Sequence, residues 1–525
     1  MKLALAALLI CFPLVEFSSA QATADDIRAE IESVREEIQR LRQQGSRSLQ
    51  DDVLYADDLN QKVMELKISR SEQASAMSSI WIFVCGTLCM FMHVGFSMVE
   101  TGSCRARNAS DLLIKNVLSV CVAALAWWSI GWGFAFGETA NGLIGTTGFF
   151  ATNLLEERSG AVVPVSNCTG GTCTAKVLQC FFQWAFCSTT ASIVSGAVAE
   201  RIRSSTFALY SFCMAGLIYP VVVAWTWGGG WLSTLLQVGI TDLAGSGVVH
   251  FTGGIAGLVG AIVVGPREGR FGQTGSFEPH NLPLAVLGTL FLWIGWFGFN
   301  AGSIGAFHNG LQASSAAQIA MNTAVAGAAG GITVFILKFV MLRKYDVGGL
   351  CNGILAGVVS ITAGCGNLTN LSAIIVAVVG GLLYVASASL LLRLRIDDPV
   401  NAFPVHGVCG FWGCLAAVLW DWGGFDRFHG SSGWQCFPVS STDSSCFVDA
   451  KWLALVAQLI FLACVLLWAG GLSLIIFGGA RLLGILRVDH DAEEKGIDAT
   501  EHAQNRAYNF QEQQGPNSWR VLWFQ

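Results

Sequence analysis

The chain has 525 residues, of which 53% are hydrophobic and only 13% are charged. Ordinary soluble domains carry roughly 25% charged residues, so this composition disfavours a soluble enzyme, a disordered chain and a collagen. The net charge of −6 offers no basic surface for nucleic acid. The 60 glycines instead suit closely packed membrane helices, in which small residues let backbones approach each other.

The first predicted element is a secretory signal peptide at residues 1–20. Lys2 precedes an apolar run, and Ser18 and Ala20 provide the small residues that favour cleavage after Ala20. The alternative is a first membrane helix, but the run is too short for one. Cleavage places the mature N-terminus outside the cell.

Residues 21–72 form a second, highly charged segment. Between Ile27 and Leu41 its apolar side chains recur at heptad spacing. This spacing predicts an N-terminal extracellular segment that is helical and resembles a coiled coil. A frayed amphipathic helix fits the pattern nearly as well.

Eleven apolar segments between residues 79 and 478 predict an all-α polytopic membrane domain, because each is about long enough to cross the lipid bilayer. They cover approximately 79–99, 113–136, 179–199, 205–225, 242–265, 283–304, 316–342, 348–366, 369–393, 403–422 and 451–478. With the N-terminus outside, the inner connections hold twelve Lys and Arg and the outer ones four, in agreement with the positive-inside rule. The odd number of spans puts residues 479–525 in the cytoplasm as a polar tail.

The two longest outer loops, 137–178 and 423–450, contain four cysteines that an oxidising compartment would allow to form disulfides: Cys168, Cys173, Cys436 and Cys446. The first loop also contains Asn167-Cys168-Thr169, an uncommon glycosylation sequon. A glycoprotein is therefore expected if this loop faces outward.

A repeated spacing marks two of the segments. Asp242 and Asp398 each stand eight residues before the His of a Val-His pair, which are His250 and His406. The two copies belong to the fifth and tenth segments, so an offset of five spans reverses the second copy in the membrane. This five-plus-five arrangement is typical of inverted-repeat transporters, whose substrate path lies at the repeat interface near mid-membrane.

The same spacing predicts that the two imidazoles meet. Eight helical residues rise about 12 Å, so in a core about 30 Å thick the rings lie about 6 Å apart along the membrane normal. A single intramembrane His is as well explained by packing, but two at symmetric depth favour a pathway. A neutral, hydrogen-bonded pair is expected. A metal site is the competing interpretation, although Cys409 and Cys414 beside His406 fit helix packing better and no third ligand is apparent.

These stretches resemble the ammonium transporter family, called Amt and related to the Rh glycoproteins. The residues that carry the resemblance are DLAGSGVVHFTGGIAGLVGAIVVG at 242–265, PHNLPLAVLGTLFLWIGWFGFNAGS at 279–303, DDPVNAFPVHGVCGFWG at 397–413 and SGAVAERIR at 195–203. It covers roughly residues 79–510 and leaves out the 21–72 segment.

The resemblance implies a homotrimer whose protomers each contain a pore for ammonium, ammonia and methylammonium, without a cofactor. It implies an outer recognition site at Phe186, Trp227 and Ser303, and a gate of stacked rings formed by Phe182 or Phe186 with Phe299. His250 and His406 become the twin-His pair of the pore. Asp242 becomes a carboxylate that supports the recognition site without touching substrate, and Asp398 is its counterpart in the repeat.

Two positions depart from the family pattern. Asn401 stands where relatives often have an acidic residue, which makes the inner vestibule less negative. His93 stands where relatives often have Gln, in the wall near the first span.

Three other functions were weighed against an ammonium transporter of the plasma membrane. An Rh-like neutral ammonia channel is disfavoured by Trp227 and Ser303, since Rh proteins usually lack that pair. An ammonium sensor is compatible with the tail, although no receiver, kinase or cyclase domain is apparent. An enzyme is disfavoured because no nucleophile set, metal set or phosphate-binding loop appears.

The tail sequence GILRVDHDAEEKGIDATEHA at 484–503 resembles the regulatory tail of the family. The resemblance implies that the tail docks on the cytoplasmic face, touches a neighbouring protomer and couples the pores. Thr500 stands where plant relatives carry a phosphorylated Thr. A kinase that phosphorylates Thr500 and a solvated Thr that no kinase reaches are about equally compatible with the sequence.

Overall fold

The computed structural model describes residues 49–139, 141–158, 160–169, 172–272, 277–420, 438–440, 443–446, 450–502 and 507. The chain divides into two compact units, residues 1–70 and residues 71–525. The predicted signal peptide at 1–20 and the heptad-spaced residues 27–41 lie outside the described residues. The later part of the 21–72 segment is helical from Leu49 onward.

Apolar helices make up most of what the structure describes of the second unit, and they overlap the apolar segments of the sequence. They are α1 Leu49–Ser103, α2 Ala106–Phe136, α3 Lys176–Ala197, α4 Ser204–Trp225, α5 Ser246–Val264, α6 Leu282–Gly302, α7 Gly310–Leu342, α8 Val347–Thr362, α9 Asn370–Arg393, α10 Phe403–Leu419 and α11 Ala450–Leu482. Among the described residues, nine of these helices are long and apolar enough to span a membrane, while α8 and α10 are shorter.

Several helices begin where a polar side chain caps the first turn. Asn281, Asn309, Asp346 and Thr369 each accept a hydrogen bond from the backbone N–H three residues later, at the starts of α6 to α9 respectively. Such caps satisfy N–H groups that the helix itself cannot pair. The loop sequence therefore fixes where these apolar segments enter the helical conformation.

Three β-hairpins lie at one end of the helices, which we call the hairpin side. They pair Leu155–Arg158 with Ala161–Pro164, Ser166–Thr169 with Thr172–Ala175, and Pro438–Ser440 with Asp443–Cys446. A disulfide joins Cys168 to Cys173 across the second hairpin. Cys436 lies outside the described residues, and only the backbone of Cys446 is described.

The opposite end, which we call the tail side, carries the C-terminal segment with two short helices, α12 His490–Lys495 and α13 Ile497–Thr500. Asp498 anchors this segment, because its carboxylate accepts the backbone N–H groups of Ser110 and Asp111 at 2.9 Å, near the start of α2. Arg203 adds a side-chain bond to Asp489 at 2.7 Å. The tail is thus docked on its own chain.

Helices α5 and α10 cross where the backbone has no room for a side chain. A Cβ on Gly254 of α5 would lie 2.2 Å from the backbone nitrogen of Gly407 of α10, and one on Gly410 would lie 2.5 Å from the carbonyl oxygen of Ser246. Small residues at such crossings let helices in a membrane approach closely. This contact places the two histidine-bearing turns against each other.

Candidate functional site

The two aspartates of the sequence repeat are helix caps. Asp242 accepts four backbone N–H groups, those of residues 245–248, at 2.8–2.9 Å at the start of α5. Asp398 accepts two, from Ala402 and Phe403, at 2.9 and 2.8 Å at the start of α10. A carboxylate in this position satisfies the unpaired amides and complements the positive end of the helix.

The prediction that eight helical residues precede each histidine is wrong. Helix α5 begins at Ser246, after Gly245 with a φ of 102° in the left-handed region that favours glycine. Both histidines lie in π-helical turns, Ser246–Phe251 and Phe403–Val408. Such turns widen a helix locally and often occur at functional sites.

The structure brings the two histidines into direct contact. Their Nδ1 atoms are 3.2 Å apart and their ring centroids are 5.2 Å apart with an interplanar angle of 21°. His250 is fully buried and His406 is 6% exposed. Because one Nδ1 must donate and the other accept, the two rings cannot both be imidazolium while this hydrogen bond exists. The pair can therefore hold one excess proton at most.

Aromatic rings continue the line of the histidines toward the hairpin side. The His250 ring lies 5.5 Å from Phe299 and stacks at 5.2 Å on Trp296, a contact that the sequence analysis missed. Phe299 stacks on Phe186 at 3.9 Å and 13°. Phe182 lies 4.7 Å from Phe186. The ring of Phe186, rather than that of Phe182, thus forms the stacked pair with Phe299 on the hairpin side of the histidines.

Beyond these rings lie the other two residues of the expected recognition site. Trp227 is half-buried, presents its ring to Phe186 at 5.9 Å and 78°, and donates from Nε1 to the carbonyl oxygen of Asp242 at 2.8 Å. Ser303 is half-buried and donates from Oγ to the carbonyl oxygen of Phe299 at 2.8 Å. The lone pairs of that hydroxyl remain available to an N–H donor.

On the tail side of the histidines lies a cavity between α1, α3, α6, α8 and α10. Its lining includes Phe96, Glu100, Ser192, Asn352 and His406. Glu100 is paired with the buried Lys115 at 2.8 Å and also accepts hydrogen bonds from Asn116 and Ser195. Among the described residues, no group of three or more His, Cys, Asp or Glu side chains is arranged to hold a metal ion.

A buried ion-pair cluster, which the sequence analysis also missed, lies at the tail side. Arg267 contacts both Glu200 and Asp397, and Arg105 contacts Glu200 at 2.7 Å. Burial alone would raise the pKa of Glu200, but Arg267 and Arg105 lower it to about 2. Arg267 likewise outweighs burial and lowers the pKa of Asp397 to about 2. The adjacent pair Asp397-Asp398 is the feature of the sequence from which this cluster could have been predicted. Asp398 caps α10, and Asp397 forms the ion pair with Arg267.

Thr500 lies at the end of α13, exposed, with its hydroxyl donating to the carbonyl oxygens of Gly496 and Ile497. It is far along the chain from the histidines and lies on the docked tail, beside the anchor Asp498. The structure therefore separates Thr500 from the pore residues and associates it with the start of α2.

Comparisons with known proteins identify the family of the chain. A sequence model of the Ammonium Transporter Family matches residues 80–508. A putative ammonium transporter of Synechocystis is 37% identical over 442 residues, covering 83% of this chain and 90% of the relative. Amt2, an ammonium transporter of Archaeoglobus fulgidus, is 35% identical over 441 residues, covering 82% and 88%.

Solved structures are similar as well. Mep2 of Candida albicans has 26% identity and a TM-score of 0.70, covering 84% of this chain and 94% of its own. A sensor Amt protein has 29% identity and a TM-score of 0.69, covering 82% and 100%. Since the family match spans most of the described helices, the chain belongs to the ammonium transporter family of multi-pass membrane proteins.

Proposed function

We propose that the chain carries ammonium and methylammonium across the plasma membrane through a pore that follows Phe186, Phe299, His250 and His406. The observation that carries this proposal is the unbroken line of rings, which ends in two hydrogen-bonded imidazoles inside an apolar helix bundle. Eleven spans, an outer hairpin side and a cytoplasmic tail side are part of the proposal.

Recruitment is proposed at Trp227, Phe186 and Ser303. Aromatic faces attract a cation by about 0.5–2 kcal/mol each, depending on desolvation. Ammonium and potassium have similar size and charge, but only ammonium has N–H donors that the Ser303 hydroxyl can accept. The site therefore favours ammonium through ring faces and a hydroxyl, while the Asp242 carboxylate is bonded to four backbone amides rather than to the cation.

The stacked pair Phe186 and Phe299 forms the proposed gate. At a separation of 3.9 Å the rings leave no space between them, so a permeating molecule requires them to move apart. An apolar passage of this kind excludes a hydrated metal ion, because the ion would have to shed its water without replacement ligands. Ammonia without its extra proton crosses such a passage at much lower cost.

The histidines then offer a hydrogen-bonded route through the middle of the bundle. Neutral imidazoles both donate and accept hydrogen bonds, so they stabilise ammonia while one excess proton is held by the pair. Passage of NH₃ with a separate proton, and passage of NH₄⁺ as a whole, both use this route. Steady-state currents in reconstituted bilayers at fixed ammonium and varied pH distinguish the two.

Uptake by cells that lack their own ammonium transport tests the proposed function. We expect growth on low ammonium and accumulation of labelled methylammonium. Absence of both, with the protein detected at the cell surface, would falsify the proposal. The double variant His250→Ala, His406→Ala serves as the matched control, since it removes the polar route but leaves the recruitment site.

A homotrimer, glycosylation at Asn167 and phosphorylation of Thr500 by a kinase complete the proposal. Asn167 is exposed on the hairpin side, where an N-linked glycan fits an extracellular face. Thr500 is exposed on the docked tail, where an added phosphate would repel Asp498 and Glu501. Mass spectrometry of intact protein from eukaryotic membranes tests all three, by subunit number and by added mass.

A sensor is the second candidate, favoured by the likeness to a sensor Amt protein over the whole length of that chain and by the docked tail. A sensor and a transporter differ in how they respond to ammonium. In a sensor, ammonium binding would change the hydrogen-exchange rates of the tail, and the cell would take up no ammonium through the protein. An Rh-like neutral channel remains the third, and it predicts ammonia flux without current.

A further inference from the structure

A third histidine lies close to the proposed conduction path without belonging to the twin-His pair. His93 of α1 is 6% exposed, and its Nδ1 lies 3.1 Å from the hydroxyl oxygen of Ser192 on α3. Its Nε2 has no hydrogen-bond partner among the described residues. Ionisable side chains inside a membrane are costly and often mark a pathway, and the hydrogen bond to Ser192 is the contact through which this ring can act.

The position of His93 connects it to the tail-side cavity. Its ring centroid lies 6.3 Å from that of Phe96, which in turn lies 6.2 Å from His406. Ser192, Phe96 and His406 all line the cavity. The hydroxyl of Ser192 therefore stands between His93 and the space into which a molecule leaving His406 would pass.

Other polar groups of the cavity are already engaged. Glu100 is neutralised by Lys115 and accepts further hydrogen bonds from Asn116 and Ser195. Asn352 donates to the hydroxyl of Tyr384 at 3.1 Å. Ser192 differs from them, since the His93 ring is its hydrogen-bond partner and a neutral imidazole leaves the hydroxyl with one further hydrogen bond to make.

Backbone packing holds His93 in place. A Cβ on Gly95, two residues later, would lie 2.8 Å from the carbonyl oxygen of Gly288 on α6, so the two helices touch there. A shift of α1 toward α6 would therefore cause a clash, which limits the movement of the helix that carries the imidazole. A residue fixed in this way is suited to orient a neighbour.

We propose that His93 is a positioning residue for conduction, which acts through Ser192. Nδ1–H of His93 donates to the Ser192 hydroxyl oxygen, and the hydroxyl hydrogen then points into the cavity. There it donates to the lone pair of an ammonia molecule that leaves His406, and so supplies the next hydrogen bond along the path. This inference rests on the proposed function.

The test uses labelled methylammonium uptake by the full chain, with rates normalised to surface abundance. We expect Ser192→Ala and His93→Leu each to lower the maximal rate roughly fivefold, the effect of losing one hydrogen bond, while half-saturation is unchanged because recruitment lies elsewhere. The double variant should be no slower than the slower single variant, since both remove the same interaction. His93→Asn, whose amide can replace Nδ1, should restore most of the rate.

Ser97→Ala is the matched control. The Ser97 hydroxyl lies on α1, the helix of His93, and donates to the carbonyl oxygen of His93 at 2.8 Å. The Ser97→Ala variant should therefore transport at the normal rate. Wild-type rates in Ser192→Ala, or additive losses in the double variant, would overturn the inference. If His93→Leu fails to reach the membrane, Ser192→Ala decides alone. Failure of the unmutated chain to transport would instead reject the proposed function.

Discussion

The two ends of the proposed pore use the same local device in different surroundings. At the hairpin-side entrance, Asp242 caps α5 with four amides and lies beneath Trp227 and the stacked rings. At the tail-side entrance, Asp398 caps α10 with two amides beside the ion pairs of Asp397 and Arg267. Both copies of the repeat thus have an aspartate-capped turn before the histidine. The residues around the two turns differ: stacked aromatic rings lie near Asp242, and buried ion pairs lie near Asp398.

The carboxylates of both repeats have a structural role, because each accepts backbone N–H groups at the start of its helix. The proposed function accordingly assigns selectivity at the hairpin side to ring faces and the Ser303 hydroxyl, and control at the tail side to the docked segment.

We expect the largest change in stability from removing the Asp242 cap, and a smaller change from removing the Asp398 cap. Asp242→Ala leaves four buried amides without acceptors, at about 1–3 kcal/mol each, whereas Asp398→Ala leaves two. We therefore expect Asp242→Ala to lower the unfolding temperature of the purified protein well below that of Asp398→Ala. Asp242→Asn keeps one acceptor oxygen, so its unfolding temperature should lie between those of Asp242→Ala and the unmutated protein. Equal losses for the two alanine variants would show that the caps are equivalent.

The second largest effect is expected from removing the imidazoles of His250 and His406, where the two repeats meet. The double variant His250→Ala, His406→Ala deletes the two imidazoles that lie between the stacked rings and the tail-side cavity. We expect ammonium-dependent current in reconstituted bilayers to be lost, with normal folding by size-exclusion chromatography. Wild-type current would mean that charge takes another path.

A charge on the tail should affect transport from the other end. Thr500→Asp places a carboxylate beside Asp498 and Glu501, and like-charge repulsion opposes docking. We expect strongly reduced methylammonium uptake at normal surface abundance, together with faster hydrogen exchange of residues 485–500. Thr500→Ala is the control and should retain activity. Undiminished uptake by Thr500→Asp would remove the tail from the control of the pore.

Smaller effects are expected at the recruitment site. Trp227→Leu removes a cation–π interaction of about 0.5–2 kcal/mol, which corresponds to a roughly two- to thirtyfold higher half-saturating ammonium concentration. Ser303→Gly should act in the same direction by removing an acceptor. Concentration-dependent uptake measures both. If neither variant changes half-saturation, recruitment does not occur at this entrance.

The smallest effect concerns pH. His502 Nε2 lies 3.6 Å from the carboxylate of Asp111, which raises the pKa of His502 above its usual value of 6.5, with Asp498 and Glu501 adding to the rise against burial. A raised pKa in the docked state means that this contact stabilises docking fully below about pH 6.5 and is lost as pH rises through the docked-state pKa. Once rates are corrected for the intrinsic pH dependence of amide exchange, hydrogen exchange of α13 should therefore still slow on acidification, and His502→Gln should abolish this remaining dependence.

Sequence patterns were sufficient for much of this architecture. Among the described residues, nine helices are long and apolar enough to span a membrane, and two shorter apolar helices also overlap predicted segments. The rings of Phe186, Phe299, His250 and His406 are in consecutive contact. The family resemblance, rather than any local pattern, selected Phe186, Trp227 and Ser303 from 57 aromatic and many hydroxyl residues. One expectation was wrong: the residues before each histidine do not form two turns of helix. Of the two rings proposed for the gate, the structure shows Phe186 stacked on Phe299, and the gate itself stays a prediction.

Patterns along the chain predicted the order and approximate positions of the apolar helices and the Asp-to-His spacing, because these depend on neighbours along the chain. The distance between the imidazoles required the folded structure, since His250 and His406 are 156 residues apart and meet where glycines let α5 and α10 touch. The folded structure also decided that Asp397 pairs with Arg267 while Asp398 caps a helix, and that Ser192 is the partner of His93. Contacts between distant residues depend on how helices cross, and helical periodicity alone carries no information about that crossing.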